Sequence, residues 1–210
     1  MSLVELIAQA DERGLAASGL ACLDRCVPLL GGDDEILRPL WASLAENERW
    51  GEPSGERFGE GWGQDWGEEW SERVGQARAK LDVSVVPEGG VSVSAEGEAT
   101  VLAHRMLGAV PVDRGSGSLR VWADACSVAA LQIHRLLDAS ARGAASVAVH
   151  REGRTQDMSP LVAAELRRQI AILEVLSAQG PGGLRQALAL STEGRRVLRA
   201  VVSRRARGRV

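Results

Sequence analysis

The chain has 210 residues, 45% hydrophobic and 25% charged, a balance that excludes a disordered tail or a fibre and allows one sizeable core or two small ones. Six Trp, one Phe and no Tyr leave Leu, Val, Ile and Ala to build that core, which favours helices. The net charge of −3 hides a gradient: residues 1–72 carry sixteen acids against five bases, and residues 151–210 carry twelve bases against five acids.

Met1-Ser2-Leu3-Val4-Glu5 has neither the basic opening nor the long apolar run of a secretory signal, and charged residues interrupt every hydrophobic stretch. The expectation is a soluble cytoplasmic chain that crosses no membrane. Cys22, Cys26 and Cys126 form an odd set without framework spacing, which suits reduced thiols rather than disulfides. Lys80 is the sole lysine, so a biased codon usage contributes to the arginine content.

Ser2 followed by Glu5 three residues on reads as a capping box for a first helix through Leu3, Leu6, Ile7 and Ala10, stopping at Gly14. A second helix is predicted over Leu15–Leu30, ending near Pro28 and Gly31-Gly32. Asp33 can cap a third, in which Ile36, Leu37, Leu40, Trp41 and Leu44 form a wide apolar stripe and Pro39 kinks the helix or moves its start.

From Trp50 to Arg73 a tetrapeptide recurs, with Trp50, Trp62, Trp66 and Trp70 at its first position and Gly at most second positions. A period of four nearly matches the helical turn, so Trp62, Trp66 and Trp70 would share a face. Each Gly opposes helix by about 1 kcal/mol, so disorder or fraying is expected before Trp62 and helix from Trp66 to Leu81. Val83–Val86 and Val91–Ala95 alternate around Pro87-Glu-Gly-Gly90, the pattern of a β-hairpin over residues 83–95.

Helical spacing resumes over Ala99–Leu107. Leu119–Leu137 is apolar on most sides, as a central helix would be. Val147–Val149 suggests a short strand beside the hairpin. Ser159-Pro160 marks the start of a helix running to Leu176, and two short helices, Leu184–Leu190 and Arg195–Val202, follow, separated around Ser191–Gly194. The fold expected is mainly α: helical bundle-like units with a small hairpin, divided into an acidic unit over 1–49, a repeat linker over 50–73 and a helical domain over 74–210.

No catalytic or metal-binding constellation stands out. Cys22 and Cys26 share a helical face but lack companions, and read as small buried apolar residues. His104, His134 and His150 stand apart, with His134 and Asp138 spaced for a surface pair. Gly31-Gly32 and Gly180–Gly183 lack the Lys-Ser/Thr of a phosphate loop. No cofactor, metal or enzymatic activity is expected, an enzyme assembled from distant residues being a third reading.

Two motifs point to partners. Trp62, Trp66 and Trp70, flanked by Asp65, Glu68 and Glu69, make an acidic-aromatic segment suited to an Arg-bearing surface. Arg195, Arg196, Arg199, Arg204 and Arg205 make a basic surface suited to an acidic partner or nucleic acid. Ile170-x-x-Leu173-x-x-Leu176, Gly180-Pro181, Leu184–Leu190, Ser191, Val197-Leu198 and Arg207-Gly-Arg-Val210 resemble the helical part of a MarR-type winged helix-turn-helix over residues 168–210, with Gly194 a departure inside the would-be recognition helix. That resemblance implies a DNA-binding regulator. The leading expectation is a non-enzymatic interaction or adaptor module, in which the acidic first third meets the basic last third within one molecule or between two.

Overall fold

The first helix begins where its capping box predicts. Ser2 Oγ accepts from the Glu5 amide at 3.2 Å while Glu5 Oε2 accepts from the Ser2 amide at 2.8 Å, satisfying two helix-end N–H groups reciprocally. This helix, α1 (Leu3–Gln9), gives way at once to α2 (Glu12–Cys26), because Asp11 Oδ1 accepts from the Gly14 amide at 2.7 Å and caps a new start. Gly14, expected to end the first helix, therefore lies in the first turn of the second.

The computed structural model describes residues 1–46, 64–81, 94–112, 115–139, 147–154 and 156–208, with only the backbone of 64–68. After a 3-10 turn at Val27–Leu29 come α3 (Arg38–Glu46), α4 (Gln64–Lys80), α5 (Ala95–Gly108), α6 (Ser116–Leu137), α7 (Val147–Arg151), α8 (Pro160–Gln179) and α9 (Leu184–Arg207). Pro39 is the second residue of α3, where its missing N–H would have had no helical partner, so it moves the start rather than kinking the helix.

Among the described residues there is no strand. Most of the expected hairpin, residues 83–93, falls outside them, and its last two residues start a helix: Ser94 Oγ accepts from the Gly97 amide at 3.1 Å and caps α5, whose first residue is Ala95. A local cap completed within three residues needs no distant pairing partner. Val147–Val149, expected as a strand, opens α7 instead. The predicted gap around Ser191–Gly194 also closes, since α9 runs unbroken through it.

Apolar side chains from α1 to α9 meet in one continuous core, with α6 central to it, packed on α2, α5 and α8. The α6 helix owes this place to Leu119, Trp122, Ala123, Cys126, Ala130, Leu131, Ile133 and Leu137, all buried. Its approach to α2 is close because position 19 is glycine: a Cβ there would stand 2.5 Å from the Trp122 ring. Trp122 Nε1 donates to Met106 O at 3.1 Å, so the same indole ties α6 to α5.

The last part of the Trp repeat enters this core. Helix α4 starts at Gln64, close to the predicted Trp66, and it buries Trp70, Val74 and Ala77. Trp70 Nε1 donates to Pro111 O at 2.9 Å, and Arg78 Nη2 donates to Gly108 O and Val110 O at 2.8 and 2.9 Å. Arg73 Nη1 donates to Pro39 O at 3.0 Å and its Nη2 lies 3.5 Å from Glu46, which holds α4 to α3. Among the described residues no helix is long and apolar enough to cross a membrane.

Candidate functional site

Helix α9 presents two faces of opposite character. Its inner face buries Leu184, Ala187, Ser191, Gly194, Arg195 and Leu198 against the core. The inward stripe is interrupted by two small residues, and Gly194 matters most: a Cβ there would lie 2.3 Å from Arg25 Cδ and 3.0 Å from Arg168 Cδ. Glycine inside a helix costs about 1 kcal/mol relative to alanine, and here it lets α9 settle onto two arginine stems.

Asp24 and Arg195 meet on that inner face, 171 residues apart, with Nη1 donating to Oδ1 at 2.7 Å. Ser191 Oγ donates to Asp24 Oδ2 at 2.7 Å, and Arg195 Nη1 also reaches Asp34 O at 3.0 Å. Burial pushes the Asp24 carboxyl up from its ordinary value, against the pull of the Ser191 hydroxyl and Arg195. Near the surface Arg199 Nη1 donates to Asp34 Oδ2 at 3.2 Å, and hydrogen bonding by Arg199 holds the Asp34 carboxyl below its usual value. Two acids of the front, Asp24 and Asp34, thus meet two arginines of the back, Arg195 and Arg199, within the molecule.

Behind this face lies a polar network that is buried at Arg25, Glu165, Gln169 and Ser127 and reaches the surface at Asp124. Arg25 donates to Glu165 in a fork, Nε to Oε2 at 2.8 Å and Nη2 to Oε1 at 2.6 Å. Gln169 Nε2 donates to Glu165 Oε1 at 2.8 Å, Ser127 Oγ donates to Gln169 Oε1 at 2.7 Å, and Arg151 Nε donates to Ser127 Oγ at 3.1 Å. Arg151 in turn pairs with Asp124, so a single chain of polar contacts links α2, α8, α6 and α7. Burial opposes the charges of Arg25 and Glu165, but their mutual attraction wins: the guanidinium is held above its ordinary value and the carboxyl below its own.

His134 is buried beside this network, without a hydrogen bond to it, rather than pairing with Asp138. Its Nδ1–H donates to Ala130 O at 2.7 Å, and its Nε2 faces Glu165 Oε2 at 3.5 Å. Burial lowers the His134 pKa and outweighs the attraction of Glu165, so the ring is neutral. Asp138 is used elsewhere, its Oδ2 accepting from the Leu161 amide at 3.0 Å and joining the end of α6 to the first turn of α8.

The three thiols are buried and free. Burial pushes Cys22 up to about 12, and Cys26 and Cys126 are also raised well above the ordinary thiol value. Thiols so held are protonated and poor nucleophiles. Among the described residues no three His, Cys, Asp or Glu side chains gather to hold a metal ion.

The sequence-derived site residues scatter. Trp62 lies outside the described residues, Trp66 belongs to the backbone-only part of α4, and Trp70 is a core residue with 0% exposure. Of the basic set, Arg195 is buried at 6% exposure, and Arg205 is half-buried and donates from Nη1 to Leu137 O at 3.2 Å, capping the end of α6. Arg199 is engaged by Asp34. Arg196 and Arg204 are exposed on the outer face of α9 and make no ion pair with another described residue; Arg207, from the helix-turn-helix resemblance, and Arg185, not singled out from the sequence, stand with them in the same state.

Compared with protein families, curated proteins and solved structures, the chain matches none of them. Two features stand out: a largely buried inner network that holds helices in register, and an outer face of α9 whose cations make no ion pair with another described residue.

Arg25, Glu165, Gln169 and Arg151 were not singled out from the sequence. Glu165 and Gln169 at i and i+4 on α8 did carry a signal, a polar pair interrupting the apolar stripe of a helix with a clear start.

Proposed function

We propose that the protein is a non-enzymatic interaction module that docks an acidic protein surface against the outer face of α9. The observation that carries this reading is the set Arg185, Arg196, Arg204 and Arg207, exposed and without a carboxylate partner among the described residues, on a helix whose other face is anchored in the core. A rigid helix presenting unpaired guanidinium groups attracts and orients an acidic surface without reorganising itself. Arg25, Glu165, Gln169 and Ser127 are buried and engaged with one another, which leaves the outer side of α9 as the charged face open to a partner.

Poly-glutamate is a direct probe. The triple variant Arg196→Ala/Arg204→Ala/Arg207→Ala is expected to bind it at least ten-fold more weakly at low salt, with circular dichroism and urea midpoint unchanged. Equal affinity for the two proteins would remove the reading.

A second reading, a DNA-binding regulator, draws on the same arginines and on the helix-turn-helix resemblance. Arg185 and Arg207 stand twenty-two residues apart on α9, about 33 Å along a helix, close to one turn of a duplex. A gel shift with duplex DNA across a salt series tests it, and no shift at low salt ends it.

A further inference from the structure

Arg185, Arg196 and Arg207 recur at intervals of eleven residues along α9. Eleven residues are almost three full helical turns, so the three side chains fall on one line running nearly parallel to the helix axis, about 16 Å between neighbours. Exposed Ala189, Ala200 and Ser203 and half-buried Thr192 lie along the same line between them. The row is therefore straight, cationic and low between its cations, a shape that lets a second helix lie alongside at ordinary packing distance while the long arginines reach around it.

Beside this row, on the flank that also carries Arg204, stands one acid. Glu193 is exposed, three residues before Arg196, and makes no ion pair with another described residue. A phosphate backbone offers only negative charge and is repelled at that point; a peptide helix can supply carboxylates opposite the arginines and one cation opposite Glu193. Asp34, 42% exposed beside Arg199, adds to the repulsion of phosphate on the opposite flank of the row.

Resting on the docking face proposed above, we infer that its partner is an acidic α-helix lying lengthwise along α9, with one basic residue registered against Glu193. The arginines supply the attraction and Glu193 fixes the register, because sliding the partner places a carboxylate against a carboxylate.

Two helical peptides of Ala and Glu, identical except that one has a central lysine, test this with the full-length protein by fluorescence anisotropy. The wild type should bind the lysine peptide about two- to five-fold more tightly, although that peptide carries less negative charge. Glu193→Ala should reverse the preference, and Arg185→Ala/Arg196→Ala/Arg207→Ala should weaken both peptides at least ten-fold. A wild type that prefers the all-acidic peptide, or a duplex DNA that displaces either peptide at lower concentration than the other peptide does, overturns the acidic-helix partner while leaving the face in place. If neither peptide binds, or the triple variant binds both as well as the wild type, the docking face itself fails.

Discussion

On the inner face of α9, Arg195 is 6% exposed, its guanidinium against Asp24 and Asp34; on the outer face Arg196, the next residue, is exposed with no described acid in ion-pair distance. One step along a helix turns a side chain by about 100°, enough to exchange core for water. An arginine taken out of water must be matched by carboxylates and carbonyls, and for Arg195 these come from Asp24 in α2 and Asp34 before α3. An arginine left in water needs no match and remains available to a partner. The arginines of α9 are thus of two kinds, those that hold the fold from inside and those that stand in water.

Breaking the inner side should cost the most. Glu165→Gln leaves the Arg25 charge buried without its counter-ion, and Arg195→Ala strands Asp24 with only Ser191; each should destabilise by about 3–5 kcal/mol in urea unfolding. The double change Arg25→Met/Glu165→Leu should recover most of the first loss, because it removes both charges and their desolvation together. Next in size, Gly194→Ala pushes a methyl group into the Arg25 stem and should cost about 1–3 kcal/mol despite alanine's better helix propensity.

Acidification sharpens the contrast without mutation. His134 has a folded pKa below its ordinary 6.5, so the unfolded chain takes up the proton first as pH falls. Stability is complete above about pH 6.5 and declines as pH falls through the folded value, and Glu165, with its own pKa lowered from 4.5, adds a second loss further down. His134→Gln should flatten the upper part of this decline, measured as urea midpoint against pH; an unchanged profile would show that the ring is not what titrates. At the smallest end, Arg196→Ala should change stability by no more than about 0.5 kcal/mol, the result expected of a solvated side chain.

Local chemistry in the sequence was enough to find the start of α1, the Ser159-Pro160 boundary of α8 and the apolar body of α6, because caps and stripes act over three to eight residues. It was not enough at Ser94, where the alternating pattern before it suggested a strand and a side-chain cap started a helix. Gly194 misled for a related reason: as a local signal it divides α9, whereas in the fold it admits Arg25 and Arg168 against a helix that continues. His134 and Asp138 had the spacing of a surface pair, but the first is inside the molecule and the second joins α6 to α8.

Residue type and near neighbours were enough to establish that the chain is mainly helical, where α1, α8 and α9 begin, and that its charge is divided between front and back. Only the tertiary structure decided which arginines are spent on the interior and which remain outside, and that Trp70 belongs to the core. The physical reason is that burial and ion pairing depend on which helices meet, and partners such as Arg25 and Glu165 lie 140 residues apart, beyond the reach of any local pattern.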